Sequence, residues 1–326
     1  MSKQSGRKAK PASASVSKRS KTGPPLPVNS EAALQRIQKL LQAKTFKDVA
    51  EANAFLATLT GTSLEDLRDD GPDDPRWRAQ ELAFDAMEAD TAEKARELAQ
   101  QALGIDADCV DALVVMTNLD ANTTREAISG LKQAVEAGER ALGEAFFREN
   151  KGEFWGIIET RPYMRAKAQL AELLRSDGKG VQAMHQYEGL LELNPNDNQG
   201  VRYPLLGCYL AHGRLQAAAK LLHDYDGDIM AVYPWGRVLE RFLSGDRPGA
   251  TKALKQARRV NRFVELYFSG LAPVPTEMPD TYALGSEEEA IVCFDCLATA
   301  WTKHLPAMFW LMDRLHGGAP PRTKRR

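Results

Sequence analysis

Apolar positions recur every three or four residues along most of the chain, a pattern that predicts helices and almost no strands. Leu34, Ile37, Leu40 and Leu41 form one such stripe, and Val49, Ala52, Phe55 and Leu56 form the next. Asp74–Pro75 marks a helix start, because proline fits a first helical turn and aspartate caps it. Thr123 with Glu126 and Ser286 with Glu289 have capping-box spacing, and Asp197 is placed to cap the helix after it.

The pattern repeats. In GKGVQAMHQYEGLLELNP, residues 178–195, a helix turns at Gly178 and restarts with Ala183, Tyr187 and Leu190 on one face. Leu170, Ala171 and Leu174 line the helix before it. This is the signature of one tetratricopeptide repeat, a helix–turn–helix unit of about 34 residues. The small Ala183 lets the two helices approach, and a bulky side chain there would overpack the contact by about 1–3 kcal/mol. Gly213 with Ala218, Leu222 and Tyr225 repeats the unit, as does Gly245 with Ala250, Leu254 and Ala257. Ala95, Ala99 and Ala102 mark an earlier second helix, and Ala127, Leu131 and Ala134 another. The leading alanines fall at 95, 127, 183, 218 and 250, so one interval, of 56 residues, is too long by about 22.

The long interval holds ERALGEAFFRENKGEFWGIIET, residues 139–160. Phe146, Phe147, Phe154 and Trp155 give it an apolar face, and Pro162 suits the first turn of the following helix. It is expected to fold back as an extra helix across a junction, its aromatics serving as core or as anchors for a partner. The expected organisation is a tail over 1–29, a helical cap over 30–70, a first repeat block over 71–138, an inserted seam over 139–162, a second block with C-terminal helices over 163–316, and a tail over 317–326. The fold class is all-α: a right-handed solenoid of tetratricopeptide-like hairpins with one insertion.

Five stretches, FWGIIETRPYMRA, LNPNDNQGVRY, HDYDGDIMAVY, ARRVNRFVELY and GSEEEAIVCFDCLATAW, fall in the same order as in the suppressor-of-tumorigenicity-seven-like proteins, which include soluble bacterial members. Over roughly residues 75–312 the chain resembles that family. The resemblance implies a helical, tetratricopeptide-like fold and brings no catalytic residues with it. Eukaryotic members look membrane-associated, and this chain has no run of eighteen apolar residues, so that localisation is not carried over.

Charge changes the picture at the ends. The net charge of −1 conceals seven Lys and Arg in the first thirty residues and four in the last five, with no acid in either. The remaining 32 basic groups face 44 acids, so the body carries about −12. Lys, Ser and Pro enrichment predicts that both tails are disordered. The N-terminal tail is expected to be solubilising or a weak nucleic-acid or membrane-surface tether, while the acidic body disfavours nucleic acid. The N-terminus lacks the apolar core of a signal peptide, and four scattered cysteines suit a reducing cytoplasm.

Candidate chemistry is sparse. The acidic loop GTSLEDLRDDGPDDPRW lacks EF-hand spacing. Cys293-Phe-Asp-Cys296 lies within a helical pattern and reads as buried reduced thiols. The five histidines do not pair at metal-ligand spacing, and Gly178-Lys-Gly180 is a helix turn without the features of a phosphate loop, so no metal, cofactor or catalytic residue is assigned. Two polar clusters remain: Glu159, Arg161 and Arg165 at the seam, and Asn194, Asn196, Asp197, Asn198, Gln199 and Arg202 in the next turn. They bind a ligand, as a carboxylate or phosphate site, or they are structural, with an arginine bonding the turn and Asp197 capping. Arg165, Glu172, Arg175, Tyr203 and Trp235 are candidates for a concave groove that binds a peptide or protein segment. With Trp155, these side chains make up the candidate partner-binding set. The groove lacks the Lys/Asn set that clamps a peptide C-terminus.

Overall fold

The computed structural model describes residues 28–59 and 74–315. The tails beyond these limits and most of the acidic loop, with the expectations attached to them, lie outside the described residues. Sixteen α-helices and no strands occur among the described residues. No helix among them is long and apolar enough to cross a membrane.

Five helical hairpins follow one another. They are α3 (Pro75–Glu88) with α4 (Ala92–Ile105), α5 (Val110–Asp120) with α6 (Thr124–Leu142), α8 (Arg161–Ser176) with α9 (Gly180–Leu193), α10 (Arg202–Ala211) with α11 (Leu215–Asp224), and α12 (Val232–Leu243) with α13 (Arg247–Val260). Each second helix also packs on the first helix of the next hairpin. First helices pack on one another from α3 to α5 to α8, and again from α10 to α12.

The turns explain why the helices stop where they do. In the last three hairpins an N–H bonds the carbonyl five residues back: Lys179 to Leu174, Arg214 to Tyr209 and Asp246 to Arg241. This closure requires a left-handed residue, and Gly178 and Gly213 supply it with φ of 74° and 67°. The first two hairpins restart on threonine caps instead. Thr91 accepts from Lys94 N–H, and Thr123 with Glu126 forms the complete capping box. Asp74 caps α3 ahead of Pro75, as its sequence predicts.

The alanine register is the packing register. Ala95, Ala99 and Ala102, then Ala183, Tyr187 and Leu190, then Ala250, Leu254 and Ala257 are all buried. In α6 the leading Ala127 is only half-buried, and Ile128, Leu131, Ala134 and Val135 form the core. Two core clusters meet at α5, where Ala112, Val115 and the preceding Cys109 face the first and Val110 and Val114 the second. The division between cores thus falls on α5, upstream of the expected seam, and α6 packs directly on α8.

The insertion does not form one long helix. Glycines at 143, 152 and 156 interrupt it, leaving a short helix α7 (Glu144–Glu149) and two 3-10 turns, Phe154–Gly156 and Ile158–Thr160. Phe154 is fully buried and meets Phe146, Phe147 and Tyr163 at ring-centroid distances of 5.8, 4.9 and 6.4 Å. Thr160 ties the turns together, donating its hydroxyl to the carbonyls of Phe154 and, at 2.8 Å, Ile157. The aromatic face predicted from sequence is core at Phe154, while Phe146, Phe147 and Trp155 are partly buried around it.

Two further helices lie on the side of the first helices. At the N-terminal end α1 (Val28–Gln42) packs on α3 and on the turn at Ile158–Thr160. At the C-terminal end the chain passes through α14 (Val264–Phe268) and returns as α15 (Glu287–Lys303), which packs on α10 and α12 and is followed by α16 (Leu305–Leu315). The remaining helix, α2 (Val49–Thr58), buries none of its residues. Its apolar contact is local, Phe46 against Phe55 at 5.7 Å.

Candidate functional site

The predicted polar residues separate into three groups, each organised by charges far away in sequence. At the seam, Arg165 on α8 reaches Asp111 on α5 at 2.5 Å with one nitrogen and Glu31 on α1 with the other. Gln80 on α3 donates to the same Asp111 at 2.7 Å. Arg161 lies 3.6 Å from Glu31, within ion-pair reach but too long for a hydrogen bond. Its Nε donates to the Trp155 carbonyl at 3.1 Å, and its guanidinium sits 5.2 Å from the half-buried Trp155 ring. Glu159 is exposed and accepts a hydrogen bond from Gln38 on α1. Burial opposes the charge of Arg165, but Asp111 and Glu31 outweigh it and raise its pKa.

The second group joins α8 to α15. Arg175 donates to Glu172 at 2.5 Å, to the Asp295 carboxylate at 2.6 Å and to the Asp295 carbonyl at 3.0 Å. Tyr187 donates to Glu172 at 2.9 Å. Burial raises the Asp295 pKa against the opposing pull of Arg175.

The third group is the turn after α9. Asp197, left-handed at φ 49°, accepts from the N–H groups of Val201 and Arg202 and so caps α10. Arg202 bridges Asp197 at 2.9 Å and Asp228 at 2.7 Å, with its guanidinium 4.4 Å from the Tyr203 ring and 5.2 Å from that of Tyr225. Tyr203 donates to Asp228 at 3.0 Å. Neither Arg161 nor Arg165 bonds to this turn. Gln199 does that, donating to the Met164 carbonyl of α8 at 3.1 Å, while Asn198 points to solvent. Trp235 is fully buried, its indole N–H on the Asn261 carbonyl at 3.1 Å, and so lies in the core beneath the first helices.

Arg165 and Arg175 both lie on α8, a first helix, and are engaged by the chain's own α1 and α15 respectively. The partners missed in sequence are Glu31, Asp111, Asp228, Asp295 and Glu289. Asp111 carried a signal, as a lone acid inside VDALVV. Glu289 carried one too, in its capping position, but its carboxylate reaches elsewhere: to the N–H of Ala231 at 2.9 Å, of Gly285 at 2.6 Å and to the Asn261 amide at 2.9 Å.

The cysteines are free, with Cys293 buried and Cys296 half-buried beside it in α15. Burial pushes the Cys109 thiol up to about 12 and that of Cys208 to about 11. Among the described residues no group of three His, Cys, Asp or Glu side chains is arranged to hold a metal ion.

No protein-family model matches the chain, and no curated protein is found to match it.

Proposed function

We propose that the chain is a non-catalytic scaffold of tetratricopeptide-like hairpins, wound as a right-handed solenoid, that binds a helical or extended protein segment on the side of its first helices. One observation carries this reading. That side already receives two helices of the chain itself, α1 and α15, seated as partner segments are seated on helical arrays. The order of motifs shared with suppressor-of-tumorigenicity-seven-like proteins, and the three hairpin turns closed by the same hydrogen bond, support the repeat architecture. Candidate charged side chains bond to structural partners in every group, and none of the three groups pairs a nucleophile with a base.

The test is capture from native-host lysate on immobilised full-length chain and on chain lacking residues 1–27, at low and high salt. Protein partners that survive both salt and tail loss are the expected result. Salt-sensitive nucleic acid, lost with the tail, would replace this reading with tail-mediated nucleic-acid association.

A further inference from the structure

The two helices on the first-helix side are held by opposite chemistry. α15 is seated through Ala290, Cys293, Leu297, Ala300 and Trp301, all fully buried within the large core cluster. α1 is seated through a polar stripe. Glu31, Gln35 and Lys39, four residues apart, are 4%, 3% and 3% exposed; Leu40 is buried beside them, while the apolar Leu34, Ile37 and Leu41 stay only half-buried. No residue of α1 belongs to either core cluster.

Each polar residue of the stripe meets its own receiver. Glu31 faces Arg161 and Arg165, Gln35 donates to the Trp77 carbonyl of α3 at 3.5 Å, and Lys39 lies 3.7 Å from Glu81 of α3. The fit is incomplete, because Arg161 Nη1 and Gln35 Oε1 are both buried without a hydrogen bond. The neighbouring α2 has no buried residue, so release of α1 disturbs no core packing in α2. Without α1, Arg165 keeps only Asp111, Arg161 loses its carboxylate, and Glu81 loses Lys39.

We propose that α1 is a displaceable internal ligand, and that the surface beneath it on α3, α8 and the Ile158–Thr160 turn accepts a partner helix presenting an acid, an amide and a base at successive four-residue steps. This rests on the scaffold reading and names the chemistry of the segment bound. The receiver reads in one direction, acid toward Arg161 and Arg165 and base toward Glu81. A partner helix lying in the same direction with the reverse order meets like charge at both ends. A stripe of this kind gives specificity with modest affinity, because ion pairs seated in polar surroundings gain little net energy.

Two measurements test this on the full chain. In hydrogen exchange of the unmodified protein, α1 amides should exchange at least about 100-fold faster than those of α8 and α12, by local opening. Exchange of α1 together with α8 would make it a permanent part of the body and overturn the proposal. In the second, a protease site is placed in the exposed linker 43–47 and cut. A labelled peptide of residues 28–42 should then bind the cut chain and be excluded from the uncut one. Peptides carrying Glu31→Lys or Lys39→Glu should bind at least about tenfold more weakly, and the double reversal should not recover. Equal binding by wild-type and reversed peptides, or no binding, overturns the proposal. If both measurements succeed while lysate capture yields no partner, the surface and its internal ligand stand and only the external partner reading fails.

Discussion

Gly207 on α10 lies directly beneath the carbonyl oxygen of Cys296 on α15: a Cβ built at Gly207 would fall 1.9 Å from that oxygen. The obstacle is backbone, which cannot rotate aside as a side chain would. Gly207→Ala should therefore force α10 and α15 apart, at a cost of at least about 1–3 kcal/mol by overpacking. For a chain of this size each kcal/mol lowers the Tm by roughly 2–4 °C. Gly104 provides the control, since nothing lies within 4 Å of its Cβ position. Gly104→Ala should leave the Tm equal or slightly higher, and a Tm equally unmoved by Gly207→Ala would refute the close seating of α15.

The aromatic insertion makes an ordered pair of predictions. Phe154 is fully enclosed by Phe146, Phe147 and Tyr163, so Phe154→Ala should cost about 3–5 kcal/mol in urea or thermal unfolding. Trp155 is only partly buried against the same core and lies under the Arg161 guanidinium, so Trp155→Ala should cost less than Phe154→Ala. The reverse ranking would show that the insertion is anchored through Trp155.

Local rules made much of the hairpin series legible. Alanine spacing, the glycine turns, the Asp74–Pro75 start and the Thr123–Glu126 box each act within a few residues, and the helices begin, end and bury faces as those signals require. Two features were not legible. The return of α15 onto α10 depends on Gly207 meeting a carbonyl about ninety residues away, and no local pattern encodes such a pairing. The seating of α1 departs from the usual rule that the apolar stripe faces inward, because Glu31, Gln35 and Lys39 are buried beside Leu40 while Leu34, Ile37 and Leu41 are not. The candidate clusters were found as concentrations of charge, yet their binding partners in the fold came from other hairpins and terminal helices.

Glu289 shows how a local signal can hide a long-range role. Its carboxylate is fully buried and receives the N–H groups of Ala231 and Gly285 and the amide of Asn261, so it joins the starts of α12 and α15 to the end of α13. Glu289→Gln keeps one acceptor but turns an NH2 group against N–H donors. It should destabilise the chain by about 2–3 kcal/mol, more than loss of a helix cap alone. Glu288→Gln, on the neighbouring exposed position, loses only a surface carboxylate at the helix start and should shift the urea midpoint far less. Equal effects of the two substitutions would show that residue 289 acts only as a cap.

Alkaline pH should unfold the chain by a route set by burial. Desolvation raises the thiols of Cys109 and Cys208 from 9.0 to about 12 and about 11, and raises the phenols of Tyr163, Tyr187, Tyr203, Tyr209 and Tyr233 above their ordinary value. Each group holds its proton more tightly folded than unfolded. Their contribution to stability is complete below about pH 9, where neither state ionises them, and is lost as pH rises, because the unfolded chain releases these protons first. The Tm should therefore hold steady up to about pH 9 and fall steeply above it. Phenolate absorbance should rise together with loss of helix at high pH. A Tm that stays flat while the buried tyrosines ionise near pH 10 in a helical chain would show that these side chains are open to water.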